Sequence, residues 1–458
     1  MTDLSPVDDR RRDALKAALA LTMAAGAGAA RAAVANAAGT TEPVRVGILH
    51  SLTGTMQISE SVLKDVMLML IAEQNRKGGL LGRRIEPIVV DPASNWPRFA
   101  ELAQQLLVKD RVAAVFGCWT SISRKSVRAV FEANDGLLFY PVQFEGEESS
   151  RNIFYTGATP NQQAIPAIEF LRQDLGTQRW ALIGTDYVYP RTTNKILDAW
   201  LRSHGVAAAD IMTTYTPFGQ TDWRDVVGRV KAFGSTGRRA AVISTINGDA
   251  NVPFYAELAA QKVSASEIPV MAFSVGEQEL SRVDTAPLVG HMAAWNYFMS
   301  VKSPLNAEFI PRWRDFTRNP VALTNDPMEA HYIGFNMWVK AVEKARSFDA
   351  EKVRQAIVGV KFPNLSGGEA EMLPNHTLRK PVLIGKIERD GQFRIIWRTK
   401  DLVAGESWSR QLPENRNVIA DWTEPIHCGR FDTAQNNCLD ARAETATSEG
   451  LGGAPASR

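Results

Sequence analysis

Short apolar segments rich in β-branched residues alternate with longer amphipathic segments from Val44 onward. The short segments have the length of buried strands, and the longer ones repeat apolar residues at helical spacing. In the first third of the chain this pattern predicts strands over 44–50, 84–90, 112–117 and 137–140, with helices over 59–76, 97–109 and 123–133. Such alternation is typical of a parallel sheet covered by helices on both faces.

The alternation starts again with a helix near Ile165. Strands are predicted over 179–186, 208–215, 239–246 and 269–274, and helices over 191–203, 221–233 and 252–261. Later segments predict a strand over 290–298, a helix over 326–345 and a hairpin of 381–387 with 392–398. We therefore expect an α/β protein of two lobes, each a parallel sheet flanked by helices, hinged around a ligand cleft.

The chain has 458 residues, which is longer than one hydrophobic core usually serves. The pattern predicts an N-terminal lobe from 39–160, completed by part of 290–345, and a C-terminal lobe from 161–289, completed by part of 346–400. Residues 1–38 are expected to be an export signal. Residues 401–458 are expected to be a polar tail, disordered from Ala441 onward.

The N-terminal segment has the three parts of an export signal. Arg11 and Arg12 fit a twin-arginine signal, and an uncharged run from Ala17 to Ala30 follows them. The small residues around Ala37 predict cleavage there, although sites ending at Ala35 and Ala32 fit nearly as well. Because that run is shorter than the roughly 20 residues needed to span a bilayer, we expect a periplasmic protein with no direct membrane insertion.

The net charge bears on possible partners, and the cysteines bear on a possible disulfide. Charged residues make up 22% of the chain and the net charge is +2, so nucleic acid is not an expected partner. Cys428 and Cys438 are predicted to form a disulfide in an oxidising compartment. Two free thiols, or a metal site with His427, are the alternatives.

Hydroxyl, aromatic and amide residues follow the predicted strands, and parallel sheets bind their ligands at these carboxyl ends. The candidate ligand-binding residues are Ser51, Trp119, Thr120, Ser121, Tyr140, Val142, Gln143, Tyr187, Tyr189, Asn247, Asp249 and Glu277. Their composition suits a small neutral polar ligand, because aromatic walls exclude water while a few fixed groups form hydrogen bonds. Ser121 precedes a helix and can bind a carbonyl oxygen, although Ser121 or Ser123 can also cap that helix.

Enzyme chemistry finds less support. A Cys118 nucleophile needs a nearby base, and none of the six histidines lies in a recognisable partner motif. His50 ends a strand and can face the ligand, or can be a structural histidine. The sequence has no dinucleotide, phosphate-loop or zinc-protease motif, so neither cofactor nor metal is predicted. Arg124, Lys125 and Arg128 are expected on the solvated face of their helix.

Six blocks carry a resemblance to a known family: GILHSLTGTMQISE, GGLLGRRIEPIVVD, VFGCWTSISRKSV, LLFYPVQFEGEESSRNIFYTGATPNQQ, GTDYVYPRTTNK and TNDPMEAHYIG. In this order they resemble the urea and short-chain amide branch of the branched-chain amino acid type of periplasmic binding proteins. The resemblance runs from about Val44 to Lys400. It implies a receptor that closes two lobes over its ligand and delivers it to the permease subunits of an ABC importer, without catalysis.

The resemblance also implies roles for particular residues. Trp119 and Ser121 would contact the amide, Tyr140 and Val142 would form the facing wall, and the tyrosines Tyr187 and Tyr189 would close from the second lobe. Val142 replaces the hydroxyl expected in amide sensors of this branch, which favours a transporter. An amide-sensing regulator of an amidase operon and a Cys118-dependent amidase remain the alternatives.

Overall fold

The protein folds into two α/β lobes, seen in a computed structural model that describes residues 42–416, 418–421, 428–432 and 437–439. The first lobe contains a five-stranded, entirely parallel sheet of order β2-β1-β3-β4-β5. Its strands are β1 (Val44–Leu49), β2 (Ile85–Val90), β3 (Val115–Gly117), β4 (Leu138–Tyr140) and β5 (Ile153–Tyr155). Helices α1 (Gln57–Arg76), α2 (Trp96–Gln104) and α3 (Ser121–Ala133) follow its first three strands.

The second lobe contains a seven-stranded sheet of order β15-β14-β10-β9-β8-β6-β7. Its strands are β6 (Arg179–Thr185), β7 (Ile211–Thr216), β8 (Ala240–Thr245), β9 (Val270–Ala272), β10 (Met292–Trp295), β14 (Leu383–Ile387) and β15 (Phe393–Arg398). Its helices are α4 (Ala164–Gln173), α5 (Val188–Ser203), α6 (Arg224–Gly234), α7 (Asn251–Ala260) and α8 (Glu277–Leu280). The sheet is parallel except for β14 and β15, which pair antiparallel at one edge.

The first lobe is completed by segments from the last third of the chain. They are α9 (Pro304–Thr317), α10 (Asp326–Ala345), α11 (Ala350–Ile357) and a small sheet of β11 (Lys361–Pro363), β12 (Glu369–Met372), β13 (Leu378–Lys380) and β16 (Val403–Ala404). Helix α10 packs on α1. Between them and the sheet lies an aromatic core, in which Phe116 stacks on Phe139 at 4.7 Å and meets Trp338 edge-on.

The hinge is built where the chain passes between the lobes. Asn296 follows β10, and its Nδ2 donates to the carbonyl oxygen of Gln162, at 3.1 Å, and to that of Pro381, at 2.7 Å. Gln162 lies between β5 and α4, and Pro381 lies between β13 and β14, so one side chain joins successive crossings. Beneath them the buried Lys380 ammonium lies 2.7 Å from the Glu329 carboxylate.

The predicted fold class is confirmed, and most predicted elements agree with the observed ones within a few residues. The second sheet is not purely parallel, because the predicted hairpin forms β14 and β15 along its edge. Strand β5, the small antiparallel sheet, α9 and α11 were not predicted. None of the helices in the described part of the chain combines the length and apolar character needed to cross a bilayer.

Several predictions fall outside the described residues. The export signal and the tail from Ala441 lie wholly there. Cys428 and Cys438 belong to β18 (Cys428–Asp432) and β19 (Asn437–Cys438), which pair with each other, and β18 also pairs with β17 (Ile419–Asp421). The side chains of both cysteines lie outside the described part, so the disulfide stays a prediction. His427, in the alternative metal site, lies outside it too.

Candidate ligand-binding site

The strand order of the first lobe opens a crevice between the carboxyl ends of β1 and β3, which is where open parallel sheets bind ligands. Cys118 leaves β3 in the left-handed region, at φ 65°, and its N–H donates to the Leu49 carbonyl oxygen at 2.8 Å. A non-glycine residue in this conformation is strained, and such strain concentrates at functional sites. The turn directs Trp119, Thr120 and Ser121 into the beginning of α3.

Thr120 is the residue that caps helix α3, since its side-chain oxygen accepts from the Ser123 N–H at 3.1 Å. The alternative in which Ser121 or Ser123 caps this helix is therefore wrong. Ser121 is the first helical residue, and its hydroxyl donates to Glu145 Oε2. Tyr140 closes this wall, because its hydroxyl donates to the Trp119 carbonyl oxygen at 2.5 Å.

A buried ion cluster lies directly behind this wall. Arg124 donates from Nε to Glu148 Oε1 and from Nη2 to Glu145 Oε1, both at 2.9 Å, and from Nη1 to Ser121 Oγ at 3.1 Å. Lys125 Nζ lies 2.7 Å from Glu148 Oε2. The Arg124 guanidinium also covers the rings of Tyr140 and Phe144, at 4.7 and 4.8 Å from their centroids.

This cluster corrects the expectation that Arg124, Lys125 and Arg128 form a solvated helix face. Arg124 and Lys125 are buried, and only Arg128 retains partial exposure. Burial alone would raise the pKa of Glu148, but Arg124 and then Lys125 hold it well below its usual range. With two cations and two carboxylates, the four side chains of the cluster balance to zero net charge.

The second lobe closes on this wall through aromatic residues. Tyr187 and Tyr189 begin helix α5, and the Tyr187 ring packs on Phe218 with centroids 4.8 Å apart. Ile122 of the first lobe packs against the cluster formed by Tyr187, Val188 and Tyr189. Helices α3 and α5 therefore meet across the cleft at their N-terminal ends, and the cleft is closed.

Gln143 and Ser274 join the lobes by a hydrogen bond, in which Gln143 Nε2 donates to Ser274 Oγ at 2.7 Å. Burial raises the pKa of the Tyr189 hydroxyl, and the side chains of Ser274 and Gln143 partly oppose this rise. That hydroxyl nevertheless has no well-formed hydrogen bond, and neither do Gln143 Oε1 and Trp119 Nε1. All three residues are at most 3 % exposed, so three buried polar atoms of predicted site residues lack partners.

Three other predicted site residues make their contacts within their own lobe. Val142 follows β4 and is buried. Its carbonyl group lies so close to Gly157 that a Cβ at position 157 would be 2.1 Å from the carbonyl carbon and oxygen of Val142. Ser51 binds elsewhere: its N–H donates to Glu60 Oε2 and its hydroxyl accepts from the Ser94 N–H. Asn247 bonds to Thr185 and Thr245 at the strand ends of the second lobe.

Asp249 and Glu277 are placed at the rim and the hinge side of the cleft. The Asp249 side chain is exposed, and its N–H donates across the cleft to the Thr55 carbonyl oxygen at 3.3 Å. Glu277 is buried and accepts from the Met299 N–H at 2.7 Å. Burial, with smaller effects from the charges of Glu279 and Asp326, raises the pKa of Glu277 to about 8, so this carboxyl is mostly neutral at pH 7.

Cys118 and His50 have structural roles. The Cys118 thiol is fully buried, and burial followed by the charge of Glu60 raises its pKa, which disfavours the thiolate a nucleophile needs. His50 uses both ring nitrogens, with Nδ1 3.1 Å from Glu60 Oε2 and Nε2 2.8 Å from His331 Nε2. In the described part of the chain, no group of three or more His, Cys, Asp or Glu side chains is arranged to hold a metal.

Sequence reasoning missed Arg124, Glu145, Glu148 and Ser274 as parts of this site. The signal available for the carboxylates was the acidic run of Glu145, Glu147 and Glu148 directly after an apolar strand. Buried carboxylates need cations, and Arg124 with Lys125 follows the preceding strand. Their pairing depends on contacts 21 to 24 residues apart, which local periodicity does not reveal.

Comparisons with known proteins agree with this architecture. A family model described as a periplasmic binding protein domain matches residues 44–414. The chain is 21% identical over 395 residues to the Leu/Ile/Val-binding protein homolog 7 of Brucella melitensis biotype 1, covering 80% of this chain and 94% of that protein. It is 30% identical over 132 residues to a limonene hydroxylase of Geobacillus stearothermophilus, a match that spans only 23% of that protein.

A solved structure with the same fold is the solute-binding protein of an ABC transporter from R. palustris in complex with 4-hydroxybenzoate. Its TM-score is 0.68 at 19% sequence identity, and the match covers 79% of this chain and 98% of that one. The likeness therefore extends over both lobes.

Proposed function

The chain belongs to the periplasmic binding protein family, and from this premise we propose that it captures urea or a short-chain aliphatic amide in the cleft between its lobes. It is a solute-binding protein of an ABC transporter and not an enzyme. In this proposal the closed, loaded form delivers the ligand to the permease subunits of an importer. The N-terminal sequence supports export to the periplasm by the twin-arginine route.

The observation that carries the proposal is a set of buried, unpartnered polar atoms on three predicted site residues. Trp119 Nε1 is a donor, Gln143 Oε1 is an acceptor, and the Tyr189 hydroxyl can act as either. An amide presents a carbonyl oxygen and N–H groups, so it can satisfy a donor on one side and acceptors on the other. Leaving each such atom unpaired would cost about 1 to 3 kcal/mol, which a ligand of this chemistry recovers.

Charge balance favours a neutral ligand over a carboxylate. Leucine and hydroxybenzoate both carry a carboxylate, which is bound most strongly by a cation with free donors. All three guanidinium nitrogens of Arg124, behind the wall, already donate to Glu148, Glu145 or Ser121. The Lys125 ammonium is likewise paired with Glu148.

Calorimetric titration of the purified mature protein tests the assignment. Urea, acetamide and formamide are the ligands, and leucine and 4-hydroxybenzoate are the carboxylate comparisons. We expect saturable binding of at least one amide and none of the carboxylates. Binding of leucine or 4-hydroxybenzoate with no binding of any amide would show that the proposed ligand class is wrong.

Removing one ligand-facing hydroxyl tests the site itself. In Tyr189→Phe the ligand loses one hydrogen bond, worth about 1 to 2 kcal/mol, so the dissociation constant should rise about 5- to 30-fold. Tyr255→Phe is the matched control, because Tyr255 is a buried second-lobe tyrosine whose hydroxyl also lacks a partner, packed against Phe254 and His291. If the two substitutions changed the dissociation constant equally, Tyr189 would not be part of the ligand site.

A further inference from the structure

The segment that follows β16 runs from the hinge to the second-lobe residues Tyr187, Val188 and Tyr189. We call its described residues, 405–416 and 418–421, the C-terminal strap. The strap lies in the region predicted to be a polar tail, and its last described residues form β17. It contacts the hinge, the first lobe and the second lobe.

The strap is anchored at the hinge. The Gly405 N–H donates to the Leu378 carbonyl oxygen at 3.0 Å, and the Gly405 carbonyl oxygen accepts from Thr377 Oγ1 and Asn375 Nδ2, both at 3.0 Å. A Cβ at position 405 would lie 2.6 Å from Thr377 Oγ1, so glycine is required for this close approach. The Glu406 N–H then donates to Asn161 Oδ1, in the crossing from the first lobe to the second.

The middle of the strap binds the loop that carries the buried carboxylates. The Ser409 N–H donates to Glu147 Oε1 at 2.8 Å, and the Glu148 N–H donates to the Ser407 carbonyl oxygen at 3.4 Å. Glu147 has a left-handed backbone, at φ 52°, between Glu145 and Glu148 of the ion cluster. The strap thus holds a strained loop one to two residues from the groups that position Ser121 and Arg124.

The end of the strap reaches the second lobe at the predicted ligand wall. Ala420 is 1 % exposed and packs in one cluster with Tyr187, Val188 and Tyr189. The Ala420 N–H also donates to the Glu147 carbonyl oxygen, at 3.3 Å, in the first lobe. One residue of the strap therefore touches both lobes at the position where they close.

We propose that the C-terminal strap is a third wall of the ligand site, which ties the closed lobes together and slows release of the ligand. The proposal rests on the proposed function, because it places the strap over the cleft assigned to the amide. A covalently attached segment stabilises the closed form over the open one when its contacts to both lobes exist together only in the closed form. Release of ligand then requires Ala420 to leave the Tyr187–Tyr189 cluster.

Ala420→Asp in the full mature chain tests this role, since it places a carboxylate in the apolar cluster without shortening the protein. Stopped-flow measurement should show the dissociation rate of bound amide rising roughly 10-fold, with a smaller change in the association rate. Arg410→Ala is the control, because the Arg410 side chain is 82% exposed and its guanidinium pairs with Glu406 within the strap. An unchanged dissociation rate in Ala420→Asp would overturn the proposal.

Hydrogen exchange gives a measurement that needs no ligand. In Ala420→Asp, amides in the peptide covering residues 185–193 should exchange faster than in the wild type, while Arg410→Ala should match the wild type. Unchanged exchange would mean that the strap does not cover the cleft. If the wild type binds no amide but the exchange difference is found, the ligand assignment fails and the strap stands.

Discussion

At the scale of single residues, Arg124 decides how the site is built. Its guanidinium has no solvent exposure, and Glu148, Glu145 and Ser121 use its donors. Burial alone would lower its pKa, but the charges of Glu148 and then Glu145 raise that pKa well above its ordinary value. The residue remains charged and holds both the ion cluster and the Ser121 hydroxyl in place.

Replacing Arg124 by methionine should destabilise the protein strongly. Two buried carboxylates would lose their main counter-charge, and breaking a buried pair from one side costs about 3 to 5 kcal/mol. The free energy of unfolding should be measured with guanidinium chloride, because urea is a proposed ligand.

Arg128→Met is the matched control for this change. Arg128 lies one helical turn further along α3 and pairs with Glu132 at 2.8 Å while partly exposed. Such a pair is worth about 0.3 to 0.5 kcal/mol. Comparable destabilisation by the two substitutions would contradict the central role of Arg124.

At the scale of secondary-structure elements, helices α1 and α8 form a contact across the cleft. Ser59, in the first turn of α1, donates from its hydroxyl to Glu279 Oε1 of α8 at 2.6 Å. Glu279 Oε2 accepts from the Gly276 N–H, so both carboxylate oxygens are engaged. This contact joins the two lobes, and it is lost when they separate.

Ser59→Ala should therefore weaken ligand binding without touching the ligand. The closed form would keep a buried carboxylate short of one hydrogen bond, at a cost of about 1 to 2 kcal/mol, so the dissociation constant should rise about 5- to 30-fold. Small-angle scattering should show a larger open fraction at subsaturating ligand. Ser126→Ala is the control, since its hydroxyl donates to the Ile122 carbonyl oxygen within α3. Identical affinities of the two variants would show that the contact does not favour closure.

The sequence predicted elements well where local periodicity decides them. Helix α10 begins and ends at the predicted residues, because its apolar positions recur and Asn325 caps it. Helix α5 begins at Val188, before the predicted 191, because Pro190 is tolerated in a first turn. Strand β3 is shorter than predicted, since the Val112 N–H donates back to the Leu106 carbonyl oxygen.

The contacts that local periodicity could not predict join residues that are far apart in the sequence. Arg124 and Lys125 look like ordinary surface charges until Glu145 and Glu148 are brought beside them by the β3 and β4 pairing. The Gln143–Ser274 contact joins residues 131 positions apart, in different lobes. Strand-end reasoning identified one partner of that contact, Gln143, but only the closed fold shows that the two meet.

At the scale of the whole molecule, Glu147 connects the hinge-anchored strap to the ligand site. Burial raises the pKa of its carboxyl to about 7, and the negative charges of Glu145 and Glu414 add to this rise. Hydrogen bonds from the Ser409 N–H and the Asn415 side chain act in the opposite direction. When the strap leaves, the carboxyl becomes more exposed and its pKa falls toward 4.5. Glu147 therefore binds a proton more tightly when the strap is docked than when it is undocked.

Strap docking should therefore depend on pH in a defined direction. A group whose pKa is raised in the docked state contributes its full stabilisation below 4.5, and loses it as the pH rises through about 7. Dissociation of bound amide, followed by stopped flow, should be several-fold faster at pH 8 than at pH 5.5. In Glu147→Gln the side chain stays neutral and keeps an acceptor for the Ser409 N–H, so the rate should stay slow across this range.

Glu277→Gln is the control, because it removes another buried carboxyl of raised pKa while leaving Glu147 able to titrate. If the wild type and Glu147→Gln showed the same pH dependence, strap docking would not depend on the ionisation of Glu147.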